Sequence, residues 1–137
     1  MTLRRASLAV CVLLLPLAAT AAQMKPGKWQ ITTSTERPGL PYPMPPVSFT
    51  HCYTKEDVAK TEGMPTKIAE QKNCKASDIK RVGDTITWKV ACRGRHPLSG
   101  TGSMTIGSES YTAVRKYKMP QEMTQRTSGK RVGNCDQ

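Results

Sequence analysis

Apolar and polar residues alternate along most of this chain, in short runs broken by glycine, proline, serine and asparagine. The clearest run is Ile86, Trp88, Val90 and Cys92, interleaved with Thr87, Lys89 and Ala91. A period of two with β-branched and aromatic members marks a strand that buries one face. Gly83-Asp84 separates this run from the one that begins at Cys74, and a glycine beside an aspartate there marks a hairpin turn. A three-residue loop centred on Gly83 would set Cys74 directly opposite Cys92, where a cross-strand disulfide needs them.

The other runs extend the pattern. Pro26-Gly27 turns into a strand on which Trp29 and Ile31 face inward. Residues 37–46 hold five prolines in ten positions. Proline removes backbone donors and favours an extended path, so this stretch reads as an exposed loop. Val47 to Tyr53 returns to strand, with Val47, Phe49 and His51 on one side. Thr54, with Asp57 three positions later, predicts an N-cap and a short helix to about Thr61, ended by Gly63-Met64-Pro65. Residues 66–73 read as polar loop, and residues 93–100 as a basic one. Thr101 to Ile106 carries Gly102, Met104 and Ile106 on one face, and Tyr111 to Met119 carries Tyr111, Ala113, Arg115 and Tyr117. Met123 to Val132 forms the last run. The fold class predicted is mainly β: an antiparallel meander of about seven strands, as a curved sheet or small up-and-down barrel, with one short helix.

The first 21 residues stand apart. Arg4 and Arg5 make a positive start, Leu8 to Leu17 an apolar run, and Ala19-Thr20-Ala21 a small-residue cleavage site. The apolar run is shorter than the roughly 20 residues a membrane-spanning helix needs. Cleavage after Ala21 would leave residues 22–137 as one small domain, 116 of the 137, in the periplasm or outside the cell. Cys11 leaves with the leader, and Cys52, Cys74, Cys92 and Cys135 remain. An even count in an exported domain predicts a disulfide framework. The hairpin favours Cys74–Cys92, which leaves Cys52–Cys135. A strict seven-strand meander, however, puts Cys135 at the end away from the other three, so Cys52–Cys74 with Cys92–Cys135 stays open.

Charge and candidate chemistry narrow the function. The net charge is +11, or +9 once Arg4 and Arg5 are gone, with cations gathered at 93–95, 115–118 and 130–131. Such a surface suits anionic envelope components and is screened by salt. Nucleic-acid recognition would need exposed aromatics among the cations or a groove-reading element, and neither is visible. No catalytic residue is assigned. His51 and His96 are the only histidines, no G-x-S-x-G is present, and Glu56 with Asp57 suit the helix start. The absence of C-x-x-C spacing argues against zinc. Met24, Met44, Met64, Met104, Met119 and Met123 are soft ligands that would suit Cu(I) if clustered, but they are scattered, and Met104 and Met123 have the spacing of core residues. No cofactor is expected.

Several stretches together resemble a known family. They are Lys25-Pro-Gly-Lys-Trp29, Cys52-Tyr-Thr-Lys-Glu-Asp57, Gly83-Asp-Thr-Ile-Thr-Trp88, Ser99-Gly-Thr-Gly102 and Ser128-Gly-Lys-Arg-Val-Gly-Asn-Cys135. In this order they look like domain of unknown function 3617, of exported proteins from Gram-negative bacteria. The proline loop departs from the family by being poorer in methionine. The resemblance implies periplasmic export and four paired cysteines, and it supplies no activity. The reading that follows is a non-enzymatic binding module for an apolar small molecule or envelope component. The alternative is a structural or inhibitory envelope protein that docks through residues 37–46 and its basic surface.

Overall fold

The computed structural model describes residues 20–60 and 73–136. Its elements are β1 (Gly27–Glu36), β2 (Val47–Tyr53), α1 (Lys55–Ala59), β3 (Cys74–Val82), β4 (Thr85–Cys92), β5 (Leu98–Ile106), β6 (Ser110–Lys118) and β7 (Glu122–Gly133). The seven strands make one open antiparallel sheet in the order β2-β1-β7-β6-β5-β4-β3. The fold is therefore mainly β, as the alternation predicts, and the sheet is not closed.

The order is that of an up-and-down ring opened between β2 and β3. A ring with an odd number of strands cannot be antiparallel throughout; one neighbouring pair must run parallel. With β1 antiparallel to both β2 and β7, that pair is β2 and β3, and it is left unformed. A parallel pair needs a long crossover rather than a tight turn. Residues 54–73 make that connection, and α1 is its first part.

This arrangement corrects the strict meander. β7 returns beside the start of β1, so that Lys28 pairs with Cys52 on one side and with Gly133 on the other. Cys52 and Cys135 are thereby brought to disulfide distance, with Cα atoms 5.6 Å apart. Cys74 and Cys92 pair at the opposite end of the sheet, with Cα atoms 3.9 Å apart. The tail does not need to turn back, because β3 runs in the same direction as β2.

The hairpin loop is corrected as well. Val82 pairs with Thr85, so the loop holds two residues, Gly83 and Asp84, and not three. Gly83 has φ +57°, the left-handed value that glycine supplies at the first position of a two-residue hairpin loop. The register then shifts between Ser77 and Lys80, where Asp78 has φ +50°. That bulge absorbs one residue and returns Cys74 to a position opposite Cys92. β5 also starts earlier than the basic loop suggested, since Leu98 already pairs with Cys92.

Thr54 caps α1 in a complete capping box: its hydroxyl accepts from the Asp57 N–H, and the Asp57 carboxylate accepts from the Thr54 N–H. The helix ends at Ala59 with Lys60 as C-cap; the predicted stop at Gly63–Pro65 lies outside the described residues.

The core lies on one face of the sheet. Trp29, Ile31, Ile86, Trp88, Met104, Ile106, Tyr111 and Ala113 are buried there with Met24, and Tyr53 and Val58 of α1 pack against them. Two aromatics settle over glycines on the neighbouring strand, Trp88 opposite Gly102 and Tyr111 opposite Gly129. A Cβ on either glycine would collide with the ring. Residues 22–26 cross one end of the sheet. Ala22 donates to the Asp84 carboxylate and Lys25 to the Ser108 carbonyl, which seats Met24 in the core. The opposite face carries Thr32, Thr87, Lys89, Thr101, Thr112, Lys116 and Lys130, all partly or fully exposed.

Candidate functional site

The alternation that builds the core also builds a cavity of about 360 Å³ on the same inner face. Five of the seven strands deliver to it residues that share the core's parity. β1 supplies Ile31 and Thr33, and β7 supplies Gln125 and Thr127. β6 supplies Tyr111 and Arg115, and β5 supplies Met104. The edge strand β2 adds Phe49, His51 and Tyr53, and α1 adds Asp57 and Lys60 at its end. β2 and β5 are four places apart in the sheet, yet both line this one space, so the sheet curls around it.

The floor is apolar. Met24, Ile31, Met104 and Tyr111 are buried, and Phe49 is half-exposed above them. The walls hold a few polar groups. Thr33 and Thr127 share a hydroxyl hydrogen bond of 3.2 Å. Arg115, itself partly buried, donates from Nη1 to Oε1 of Gln125 at 3.4 Å. The Asp57 carboxylate is held by Thr54, accepting from its N–H at 2.9 Å and its hydroxyl at 2.8 Å. His51 stands edge-on to Tyr53, with ring centroids 4.6 Å apart.

Burial sets the protonation of the tyrosines. It pushes the Tyr111 hydroxyl well above its ordinary value, and a hydrogen bond with Tyr53 adds to the effect, while the nearby Arg115 charge opposes it. Tyr117 is raised by burial too, again against the pull of Arg115. Both stay neutral at physiological pH, and Tyr111 serves the cavity as an apolar wall with a hydroxyl handle.

The residues singled out in the sequence are distributed unevenly. His51 lines the cavity; His96 sits exposed in the loop between β4 and β5. Met24 and Met104 meet in the cavity lining, whereas Met44 and Met119 are exposed and Met123 lies near Arg37. Met64 lies outside the described residues. Among the described residues no group of three or more His, Cys, Asp or Glu could hold a metal ion. The two cysteine pairs hold strand ends together, and none of the four lines the cavity.

The basic clusters come apart on folding. Alternation sends Arg115 to the inner face and Lys116 to the outer one. Arg131 is spent on structure, donating to the Pro26 carbonyl and to the Asn134 side chain. Arg115 is the site residue that sequence reasoning missed. Its signal was present: a charged residue in register with Tyr111, Ala113 and Tyr117 on a face otherwise apolar.

A family model, Protein of unknown function (DUF3617), matches residues 24–135, essentially the whole described chain. The chain belongs to that family. Its match begins at Met24, which enters the core, and ends at Cys135, which ties β7 to β2, so the DUF3617 domain coincides with the curled sheet and its closures. Comparison with curated proteins finds no match, and comparison with solved structures finds none.

Proposed function

We propose that this DUF3617 protein is a non-enzymatic binding module that holds an apolar small molecule in the cavity on its inner face. The observation that carries this reading is the cavity itself: about 360 Å³, floored by Ile31, Met104 and Tyr111, with a small number of convergent polar groups. Small-molecule sites have this composition, with volumes from roughly 300 Å³ upward. Supporting the non-enzymatic part, the four cysteines among the described residues are paired, and His51 meets a tyrosine ring. In the same reading residues 1–21 are a cleaved leader and the domain works in the periplasm. Two disulfides suit an oxidising compartment, and no helix among the described residues is long and apolar enough to cross a membrane.

The test uses a neutral fluorescent probe, N-phenyl-1-naphthylamine, titrated into the oxidised domain. Saturable enhancement is expected, and Thr33→Trp, which fills the cavity from a half-exposed position, should abolish it. Enhancement that is absent, or unchanged in Thr33→Trp, sinks the reading.

One observation favours a second reading. Leu40, Tyr42 and Met44 in the proline-rich loop are exposed, Tyr42 by 80%, and continue into exposed Val47 and Phe49 on β2. Neighbouring apolar side chains of this kind suit docking of an envelope protein. Deleting residues 38–45 while retaining every partner captured after cross-linking in the periplasm would remove that reading.

A further inference from the structure

The cavity contains a cation that no described residue neutralises. Arg115 projects from the middle of β6 onto the inner face, opposite Gly102 on β5 and Gln125 on β7. Among the described residues it forms no ion pair; its hydrogen bond goes to the neutral Gln125. Four other cations have acids at hand: Lys25 has Glu109, Lys28 has Asp136, Lys89 has Asp78 and Arg126 has Glu36. Those four pairs lie at exposed positions, where a partner matters little. The Arg115 guanidinium, partly buried in the cavity wall where a partner matters more, has no acid among the described residues.

We infer that Arg115 is the recognition point for an oxyanion, and that the ligand is an amphiphile with one anionic head and an apolar body. The inference rests on the cavity reading above and names its ligand class. Arg115 spends one N–H on Gln125 Oε1, and the rest of its planar fork has no partner among the described residues and suits a carboxylate or a phosphate ester. That same bond fixes the Gln125 amide with its oxygen toward Arg115, which leaves the NH₂ group to donate. The Thr127 hydroxyl, buried in the same wall, adds a further donor when Thr33 donates their shared hydrogen bond. Beyond this group the lining turns apolar through Ile31, Phe49 and Met104, where a hydrocarbon body would lie. The carboxylate in the lining, Asp57, is engaged by Thr54 at the helix cap.

The experiment compares four ten-carbon probes by displacement of N-phenyl-1-naphthylamine: decanoate, decyl phosphate, decanol and decylamine. At least one of the two anions is expected to bind about tenfold or more tightly than decanol, as a charge-assisted hydrogen-bond pair implies. Decylamine should bind worst. Whichever anion leads tells a carboxylate ligand from a phosphate one. Arg115→Gln should bring the anions down to the affinity of decanol, and Arg115→Lys should restore part of the preference. Lys116→Gln, on the outer face of the same strand and outside the cavity, should keep the preference. Decanol binding as well as both anions would overturn the inference while the cavity reading stands. An unchanged preference in Arg115→Gln would overturn the assignment of Arg115. Failure of all four probes would overturn the cavity reading and this inference with it.

Discussion

The two strands that end the sheet are finished in different ways. β3 carries Lys75, Asp78, Lys80 and Arg81, and it is bent by a bulge at which Asp78 adopts a positive φ. β2 reads Val-Ser-Phe-Thr-His-Cys-Tyr, with no carboxylate, lysine, arginine or bulge. Charges and bulges are the devices that stop an edge from accepting another strand. β3 has both, and β2 has neither. Their anchoring differs too. β3 is tied locally to its hairpin partner across 18 residues, and β2 is tied to the far end of the chain across 83. This asymmetry keeps the ring open. Closure would require a parallel pair at this seam, and one of its members is built to refuse it. The inner face beside β2 is thereby left lining a cavity, with Phe49 and His51 at its wall.

The largest test of this asymmetry is to remove each tie in turn. Loop entropy predicts a loss of about 4.5 kcal/mol for Cys52→Ala with Cys135→Ala, and about 3 kcal/mol for Cys74→Ala with Cys92→Ala. Urea unfolding should rank them so; equal losses would mean that β2 is no more dependent on its anchor than β3. A smaller effect should come from the glycines beneath the aromatics. Gly129→Ala pushes against Tyr111 toward the β2 side of the sheet, and Gly102→Ala against Trp88 toward the β3 side. Each should cost about 1–3 kcal/mol by overpacking. A cost confined to one of them would show that the curl is rigid on that side only.

The pH dependence sharpens the comparison on the β2 side. The folded pKa of Tyr111 lies above its unfolded value near 10. The stability held by its neutral hydroxyl is therefore complete below about pH 10 and is lost as the pH climbs toward the folded value. Urea midpoints measured from pH 8 upward should fall in the wild type and fall less steeply in Tyr111→Phe. Parallel slopes would remove Tyr111 as the cause. The smallest stability effects are expected at the exposed apolar positions of the two edges, Phe49 on β2 and Ile79 on β3. Phe49→Lys and Ile79→Lys should each change stability by about 0.5 kcal/mol or less. Only Phe49→Lys should weaken probe binding, because only Phe49 lines the cavity.

Much of this was legible in the chain. Alternation named the inward residues from Trp29 to Tyr117, and Thr54 with Asp57 announced the helix cap, since both depend on neighbours a few positions away. The hairpin register was harder. Gly83-Asp84 marks a turn, but a two-residue loop with a bulge and a three-residue loop without one bring Cys74 to the same partner. The local pattern does not tell them apart. Arg115 was legible by parity and was passed over, because its cluster with Lys116 and Lys118 looked like one charged patch. A strand divides such a patch between two faces.

The sequence by itself determined the strands, the parity of each side chain, the exposed proline loop and the four cysteines that follow residue 21. All of these follow from backbone sterics and a period of two, and they need no knowledge of distant partners. Only the tertiary structure decided that β1 lies between β2 and β7, that Cys52 reaches Cys135, and that the seam falls between β2 and β3. It also decided that inward residues from five strands and α1 surround one cavity instead of filling it. Those outcomes depend on which strands pair across long separations and on how far the sheet curls. They are set by the sum of many contacts, which no single stretch of the chain encodes.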